Sequence, residues 1–463
     1  MRNAVAVIFS VFFFAWGDPF FVGVVIAGTI LDHLVIKHVL VQPAMSRIVK
    51  LWALGLTIGL NVAALAFFKY SNFAIDQLQW LLGPAHFTKP DWYGVALPLG
   101  ISFIVFHKIS FLVDIYKNRN EPPRSLLESL LYIMFFPQLV AGPIVRFNDV
   151  GAQLAARSHS TDDFLQGFTR FVRGLARKLL IADPAGRIAD AVFALPPEAM
   201  PVHYAWIGAI AYTVQIYFDF CGYSDMAIGM ARICGIRFPE NFNQPYQARS
   251  ITEFWQRWHI SLSTWMRVYL YIPLGGNRLP EWRVYLNLWI VFLISGLWHG
   301  AAWTFILWGA YYGFFLTLER FAQHRGWQLP VPDFVRQAIT LLIVVMGWVL
   351  FRADSLDYAW RMLRRMYGLL PGMTGQVEPM PLFFPQHPLA MVLLGLALAV
   401  LPWRLLLSQR LVPDWSRAAF WSQNPAGSAV VLLTNWAFHI VLLVLSVAAM
   451  LAAGSSAFLY FRF

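Results

Sequence analysis

Two histidines, His259 and His299, lie in parts of the sequence that are otherwise apolar and aromatic. His299 belongs to the stretch "GLWHGAAW", within residues 284–318, a run that contains no Asp, Glu, Lys or Arg. Burial disfavours a charged imidazolium, so we expect His299 to be neutral and able to accept a proton. That proton could come from a hydroxyl group whose oxygen attacks an activated acyl group, with His299 as the general base.

His259 is the second candidate catalytic residue, because a further polar group is needed to orient the base or to bind the developing oxyanion. A structural alternative stands beside both assignments. A buried histidine can serve only the fold, by bonding to a backbone carbonyl, and His259 can belong to a helix that merely anchors the chain at the membrane surface. In that case the replacement of either histidine has no chemical consequence.

The segment Ser250–Arg278 surrounds His259 and is predicted to begin as a helix. Ser250 and Glu253 have the spacing of a capping box, and Glu253 can pair with Arg257 one turn later. Apolar and aromatic residues then recur at intervals of three and four, which predicts one amphipathic helix at the membrane interface. The candidate substrate-binding residues on this helix are Trp255, Arg257 and Trp258.

The uncharged run around His299 is 35 residues long, which exceeds one ordinary membrane crossing and falls slightly short of two crossings of roughly 20 residues each. Gly296 and Gly300 bracket the histidine. We therefore predict two short helices, or one long broken helix, that meet near His299, with protein or a water-filled cavity around the irregular backbone. The candidate substrate-binding residues here are Asn287, Ser295, Trp298 and Trp303.

The composition identifies an integral membrane protein. Hydrophobic residues make up 59% of the 463 residues, charged residues make up 13%, and the mean hydropathy is +0.57. Apolar spans recur along the chain and predict about ten or eleven crossings in a single all-α polytopic bundle over residues 1–463. The net charge of +11 arises from Lys and Arg in short connections, which is typical of cytoplasmic loops and not of a nucleic-acid surface.

Neither a metal site nor a paired-carboxylate site is predicted. The two cysteines of the chain have no spacing that suits a zinc site or a disulfide framework. Asp219 and Asp225 are six residues apart, a spacing that does not place two side chains on one helical face. We expect these acids to meet basic partners such as Arg232 or Arg237 instead.

Five motifs follow one another along the chain. They are "YFDFCGYSDMAIG" (217–229), "FPENFNQPY" (238–246), "SITEFWQRWHISLSTW" (250–265), "YLYIPLGGNR" (269–278) and "GLWHGAAWTFILWG" (296–309). Together they resemble the membrane-bound O-acyltransferase (MBOAT) family, and within it the bacterial branch that contains the alginate O-acetyltransferase membrane subunit. The resemblance has a signature core over about residues 93–366. The resemblance implies about eleven helices, with interfacial or re-entrant helices around a central tunnel. It also implies that His299 is the family histidine in that tunnel and that His259 is the second candidate catalytic residue.

The resemblance also implies an activity. In that branch an acetyl group passes from a cytoplasmic donor across the inner membrane to a periplasmic partner, which acetylates an extracellular polysaccharide. We therefore expect a multi-pass inner-membrane O-acetyltransferase with acetyl-CoA as the donor substrate and no permanently bound cofactor. Its expected partners are the lipid bilayer and a periplasmic acetyltransferase or acetyl acceptor, and no nucleic acid.

The resemblance leaves open which polymer is acetylated. Alginate, cellulose and other exopolysaccharides all agree with the resemblance, and peptidoglycan is an alternative, whereas the D-alanylation of teichoic acid belongs to a more distant branch.

Two positions depart from the family pattern. Cys221 replaces the usual Ser, and Val268 stands where relatives have Asp.

A transporter or flippase of a polysaccharide system is the rival from another functional class, since composition alone suits both. Secondary transporters tend to carry repeats with broken helices in both halves of the chain. Here the polar motifs form one asymmetric block between Tyr212 and Gly313, which favours the enzyme. A third alternative is an inactive membrane anchor for a secretion complex, in which His299 would be dispensable.

Overall fold

Every regular element in the described part of the chain is a helix. The computed structural model describes residues 2–84, 86–139, 142–327, 330–371, 388–401 and 425–453. Short π-helical turns extend some of the helices, at Ile36–Leu40, Arg177–Ala182 and Arg267–Tyr271. The α-helices, numbered in chain order, are α1 (Arg2–Gly17), α2 (Pro19–Val35), α3 (Arg47–Leu82), α4 (Ile101–Tyr116), α5 (Leu126–Met134), α6 (Phe147–Ala155), α7 (Thr161–Ala176), α8 (Asp183–Phe193), α9 (Val202–Ile233), α10 (Ile251–Arg257), α11 (Ile260–Met266), α12 (Glu281–His299), α13 (Trp303–His324), α14 (Asp333–Arg352), α15 (Leu356–Met366), α16 (Pro388–Val400) and α17 (Pro425–Ala453).

Several of these helices could cross a membrane. Within the described residues, four segments are both long enough and apolar enough to do so, namely Pro19–Leu40, Arg47–Leu82, Asp333–Arg352 and Leu433–Ala452. The predicted all-α class with several membrane-crossing helices is therefore confirmed. The count of about ten or eleven crossings stays a prediction, as does the assignment of the whole chain to one domain.

A long antiparallel contact organises the middle of the chain, where α7 and α8 run back along α9. Glycines line this contact and allow the helix backbones to approach closely, as in membrane bundles. A Cβ atom added to Gly174 would lie 2.5 Å from the carbonyl oxygen of Gly222, and one added to Gly186 would lie 2.5 Å from the Gln215 side chain. Because of this packing, α9 is buried over most of its length.

Ion pairs hold α7 against α9. Asp225 of α9 pairs with Arg170 and Arg177, and Asp219, also on α9, pairs with Lys178 at 2.7 Å. The antiparallel alignment explains these partners, since it places the basic residues near the end of α7 beside the acids in the second half of α9. The charges are therefore compensated between the two helices.

Arg232 and Arg237 do not pair with the acids of α9, so the predicted partners were wrong. Both arginines contact Asp163 at 3.0 Å, near the start of α7. The Ser160 hydroxyl and the two arginines together hold the pKa of the Asp163 carboxyl below its usual range. The prediction was wrong because these ion pairs form between helices that face each other in the fold, and not between residues of the same sequence segment.

α12 and α13 form a second close antiparallel pair. The chain between them, residues 300–302, is not helical, which confirms the predicted meeting of two helices near His299. A Cβ atom on Gly296 would lie 2.3 Å from the Phe305 carbonyl oxygen, and one on Gly309 would lie 2.3 Å from the Phe292 carbonyl oxygen. The two backbones are thus in direct contact.

The predicted amphipathic helix around His259 is divided into two short helices, α10 and α11. His259 lies at the break and has a left-handed φ of 44°. The expected contact of the aromatic stripe with lipid headgroups is not observed, since Trp255, Trp258 and Trp265 are only 8%, 4% and 6% exposed. Aromatic side chains from α4, α9 and α14 cover Trp258 and Trp265, and those from α12 and α13 cover Trp255, which holds the segment inside the protein.

Gly309→Ala should destabilise the protein by about 1–3 kcal/mol, the usual cost of over-packing a tight contact. The new methyl group would lie 2.3 Å from the Phe292 carbonyl oxygen, so α12 and α13 would have to separate. The measurement is the melting temperature of the detergent-purified protein. Gly59→Ala is the matched control, because nothing lies within 4 Å of a Cβ atom at Gly59. Equal melting temperatures for the two variants would contradict the close contact of α12 and α13.

Candidate active site

His299 is the last residue of α12 and is buried, with 6% of its surface exposed. The helix ends there because Gly300 adopts an extended conformation, and an aromatic ring of α13 occupies the space where a side chain of residue 300 would lie. The rings of Trp298, Trp308 and Phe351 pack around the imidazole at centroid distances of 4.9, 5.0 and 5.2 Å. The surroundings of His299 are therefore apolar and aromatic, as the uncharged run predicted.

His259 lies near His299, and the two histidines share one neighbour. The Trp298 ring is 6.2 Å from the His259 ring and 4.9 Å from the His299 ring. His259 is 1% exposed and contacts the Phe220 ring edge-on at 4.7 Å. The two imidazoles belong to separate sequence motifs. The fold brings them together around the Trp298 ring.

The hydrogen bonds of Asn241 determine which nitrogen of His259 carries a proton. The backbone N–H and the hydroxyl of Ser261 both donate to Asn241 Oδ1, at 3.3 and 2.9 Å, so this atom is the amide oxygen. His259 Nδ1 lies 3.1 Å from the same oxygen and therefore donates to it. Nε2 of the neutral ring is then an acceptor, and it is buried without a hydrogen-bond partner among the described residues. Neutral His259 can accept a proton, but it cannot donate to an oxyanion until it has gained one.

Two side chains of α3 bind the backbone carbonyls at the end of α12. Lys69 Nζ donates to the carbonyls of Trp298 and His299, the latter at 3.2 Å, and Tyr70 donates to the Leu297 carbonyl at 2.7 Å. Carbonyls in the last turn of a helix lack intrahelical donors, and a cation at this end is electrostatically favourable. The sequence analysis missed Lys69, although a lysine inside an apolar helix is itself a signal of a site.

Some of the predicted substrate-binding residues lie beside the two histidines. Trp255, Trp258, Trp298 and Ser295 are all buried. The Trp258 ring and the His259 ring both contact Phe220, and Ser295 lies one helical turn before His299 on α12. Of the four residues, Trp298 contacts both imidazole rings. The contact of all four with a substrate stays a prediction.

The other predicted substrate-binding residues have partners elsewhere. Arg257 pairs with Glu253 at 2.7 Å, as their spacing predicted. The Asn287 amide donates to a backbone carbonyl after α11, at 3.2 Å. Trp303 is 52% exposed, and its indole N–H donates to a glutamine of α3 at 3.0 Å. The first bond lies within α10 and the other two connect different elements of the fold. A role in substrate binding stays a prediction for each of the three residues.

Three buried donors belong to a ring cluster that reaches His299 through Trp308, and their polar hydrogens find no acceptor among the described residues. They are Trp255 Nε1, Trp308 Nε1 and Tyr312 Oη. Their rings form one cluster, with centroid distances of 5.6 Å between Trp255 and Trp308, 5.0 Å between Trp255 and Tyr312, and 5.2 Å between Trp308 and Tyr312. Unpaired donors are costly in apolar surroundings, and such groups can stabilise an oxygen on which negative charge develops.

The groups in this site are those of proton transfer and hydrogen bonding. Neutral imidazoles can accept a proton, and indole and phenol groups can donate to an oxygen atom. Within the described ranges, no group of three or more His, Cys, Asp or Glu residues is placed to hold a metal ion. The arrangement can therefore deprotonate a hydroxyl beside a polarised carbonyl, which is the chemistry of acyl transfer.

Comparison with known proteins identifies the family. The profile of "MBOAT, membrane-bound O-acyltransferase family" matches residues 117–356. The chain belongs to the membrane-bound O-acyltransferase family. It is 43% identical over 366 residues to "Probable alginate O-acetylase AlgI" from Azotobacter vinelandii, an alignment that covers 79% of this chain and 72% of the relative.

Other relatives act on different polymers, according to their names. The "Peptidoglycan O-acetyltransferase" of Helicobacter pylori is 36% identical over 395 residues, which cover 78% of this chain and 73% of the relative. A "Teichoic acid D-alanyltransferase" of Bacillus subtilis is 29% identical over 48% of this chain and 59% of the relative. The similarity is thus higher for the O-acetylases than for this D-alanyltransferase.

These findings confirm the predicted family and its alginate O-acetylase-like branch. The protein is an O-acyltransferase and a multi-pass membrane protein. The assignment favours the enzyme over the transporter alternative. The matched region contains His259 and His299, whereas α3, which carries Lys69, lies before it.

Lys69→Met should reduce acyl transfer at least about tenfold, while the protein still inserts into the membrane. The carbonyls at the end of α12 would lose a buried donor at a cost of about 1–3 kcal/mol, and about 1.4 kcal/mol in the barrier corresponds to tenfold in rate. The measurement is transfer activity per amount of inserted protein. Lys50→Met, in the same helix, is the control, because Lys50 has no side-chain hydrogen bond or ion pair within the described ranges. Equal activity of the two variants would mean that α3 does not position His299.

Proposed function

We propose that the protein transfers an acetyl group from a cytoplasmic thioester donor to an acceptor on the periplasmic side of the inner membrane, for the O-acetylation of an exopolysaccharide. One observation carries the proposal. His259 and His299 meet around Trp298 at the break between α12 and α13, inside the apolar part of an O-acyltransferase. A neutral base at that place suits a hydroxyl group that attacks an acyl carbon.

Alginate is the polymer that we propose first. Two relatives named as probable alginate O-acetylases, from Azotobacter vinelandii and Pseudomonas aeruginosa, are 43% and 42% identical to this chain. Cellulose is a chemical alternative, since it also presents free hydroxyl groups. Acetyl-CoA is the proposed donor, and a periplasmic acetyl-accepting protein is the proposed partner, because the thioester is made inside the cell and the polymer lies outside it.

In the proposed reaction, His299 acts as the base. The hydroxyl oxygen of the acceptor attacks the carbonyl carbon of the acetyl thioester and forms a C–O bond while His299 takes the hydroxyl proton. The C–S bond then breaks, the acetyl group remains on the acceptor as an ester, and the sulfur leaves as a thiol with the proton from His299. The donors of Trp255, Trp308 and Tyr312 are suited to the carbonyl oxygen while it carries negative charge. His259 can take up a proton at Nε2 and share the developing charge.

Peptidoglycan is the second candidate polymer. The Helicobacter pylori relative named as a peptidoglycan O-acetyltransferase is 36% identical over 78% of this chain. The chemistry at His299 would be the same, because both polymers are acetylated on sugar hydroxyl groups. The two candidates therefore differ in the acceptor partner and in the polymer on which the acetyl group is found.

His299→Ala should abolish O-acetylation, with a loss of about 10²–10⁴-fold if a general base is removed. The measurement is the O-acetyl content of the host's extracellular polysaccharide and of its peptidoglycan, at equal membrane levels of wild type and variant. His439→Ala is the matched control, since His439 is another buried histidine but lies in α17 and bonds to the Asn435 carbonyl. Wild-type acetylation of both polymers in His299→Ala would refute the proposal, whereas loss of the polymer itself would favour the transporter alternative.

His259→Ala should lower O-acetylation less completely than His299→Ala. Asn241→Ala should lower it by a similar factor, because the Asn241 oxygen holds the proton on Nδ1 of His259 and leaves Nε2 as the acceptor. The double variant should then be no worse than either single variant, since residues that act as one unit are not additive. The measurement is the O-acetyl content in all three variants. Full additivity, or wild-type activity of His259→Ala, would assign His259 to the fold and not to the reaction.

A further inference from the structure

An apolar groove runs along one face of α1, and its lining contains neither His259 nor His299. The volume of the groove is about 760 Å³, which lies within the range of about 300–1,000 Å³ that is usual for ligand pockets. The side chains of α1 in its lining recur at intervals of three and four residues, so they lie on one side of the helix. They are Val5, Phe9, Phe12, Phe13 and Trp16. All of them are exposed, so this face of α1 is not buried by any described element.

The groove has a polar end beside the first turn of α1. Arg157 and His159, from the connection between α6 and α7, line it together with Cys234, which follows α9. The Arg157 guanidinium donates to the side-chain oxygen of Asn3, which fixes its place beside the start of α1. A Cβ atom on Gly235 would lie 3.0 Å from the His159 ring, so this ring lies against the turn after α9. The groove therefore has a cation and an imidazole at one end and aromatic rings along the rest.

The charge around the polar end is positive. None of the described residues that line the groove is acidic. Asp163, an acid near the start of α7, is already engaged by Arg232 and Arg237 at 3.0 Å. α1 itself begins with Arg2. Since basic residues of membrane proteins concentrate on the cytoplasmic side, these residues assign the polar end of the groove to that side.

The length of the groove matches one leaflet of a bilayer. Val5 and Trp16 are eleven residues apart, which is about 16 Å at the α-helical rise of about 1.5 Å per residue. The hydrocarbon core of a bilayer is about 30 Å thick, so one leaflet contributes about 15 Å. A ligand with its charged group beside Arg157 and its apolar part along α1 would therefore end near the middle of the membrane.

We propose that this groove binds one anionic glycerophospholipid of the cytoplasmic leaflet, with its phosphate at Arg157 and His159 and an acyl chain along the exposed face of α1. A guanidinium group matches phosphate in geometry as well as charge, and an imidazole N–H can donate to a phosphate oxygen. The bound lipid would contact both α1 and the end of α9, and so would join two elements that are far apart in the sequence. The proposal is independent of acyl transfer at His299.

Native mass spectrometry tests whether the lipid is selected by its headgroup. The full chain, purified in a nonionic detergent, is mixed with equal amounts of phosphatidylglycerol and phosphatidylcholine, and the lipids that stay bound are counted. We expect one phosphatidylglycerol per chain, with a preference of about fivefold over phosphatidylcholine, the factor expected for one basic side chain beside an anionic headgroup. Equal retention of the two lipids would mean ordinary contact with bilayer lipid and would overturn the proposal.

The two cysteines of the chain show where the lipid binds. Cys234 lines the groove, whereas Cys221 is buried and does not line it. A saturating amount of phosphatidylglycerol should slow the alkylation of Cys234 by N-ethylmaleimide at least about tenfold, because the fraction of empty sites falls as 1/(1 + [L]/Kd). The labelling of Cys221 should not depend on lipid. Headgroup-selective binding without protection of Cys234 would place the lipid outside the groove.

Arg157→Gln combined with His159→Gln should abolish the preference for phosphatidylglycerol in both measurements. Each variant is compared with and without lipid, so that a change in the intrinsic reactivity of Cys234 cancels. Arg47→Gln combined with His38→Gln is the matched control, because both residues are exposed and neither lines the groove. The same preference in the two double variants would contradict the proposed phosphate contact.

A steric variant provides a test that leaves Arg157 and its bond to Asn3 unchanged. Val5→Trp should fill part of the groove and abolish the protection of Cys234 by phosphatidylglycerol. Ile8→Trp is the matched control on the same helix, because Ile8 is 66% exposed and does not line the groove. Full protection in Val5→Trp would overturn the proposal. Protection that rises with protein concentration and not with lipid would also overturn it, since a second copy of the chain would then cover the groove.

Discussion

α12 ends within the apolar part of the protein, and the other features of the site follow from the need to satisfy its last backbone carbonyls there. A helix that stops there leaves backbone carbonyls beyond the reach of water, and an unsatisfied polar group in such surroundings costs several kcal/mol. Lys69 and Tyr70 supply the missing donors, and Gly300 lets the chain leave the helix. The break places His299 at the end of a helix. α3 therefore contributes to a site whose histidines belong to a different part of the chain.

The two histidines are held in different ways, and this difference gives them different chemistry. His259 is fixed from one side by the Asn241 oxygen, which also binds Ser261, so its proton lies on Nδ1 and Nε2 is an acceptor. Aromatic side chains, among them Trp308 and Phe351, make ring contacts with His299. Between the two lies Trp298, in contact with both. The site thus combines an imidazole that is oriented by the Asn241 oxygen with one that is packed among aromatic rings.

Features that depend on local pattern could be predicted from the amino-acid sequence. The all-α class, the helix start at Ser250, the Glu253–Arg257 pair, the helix break near His299 and the family all followed from hydropathy, spacing and motifs. These features depend on residues that are close in the chain. The motif order also singled out both histidines, although it could not tell how they are related in space.

Which helices face one another is set by the packing of the whole chain and could not be predicted from local pattern. The break at His259, the burial of its neighbouring tryptophans and the pairing of Asp225 with residues of α7 all depend on helices that are far apart in the sequence. The position of Lys69 inside an apolar helix marks it in the sequence, but its partners could not be assigned from its own segment, because they are backbone carbonyls on α12, and carbonyls carry no sequence signal. The physical reason is general: a side chain's partner is set by helix packing, and packing is a property of the whole chain.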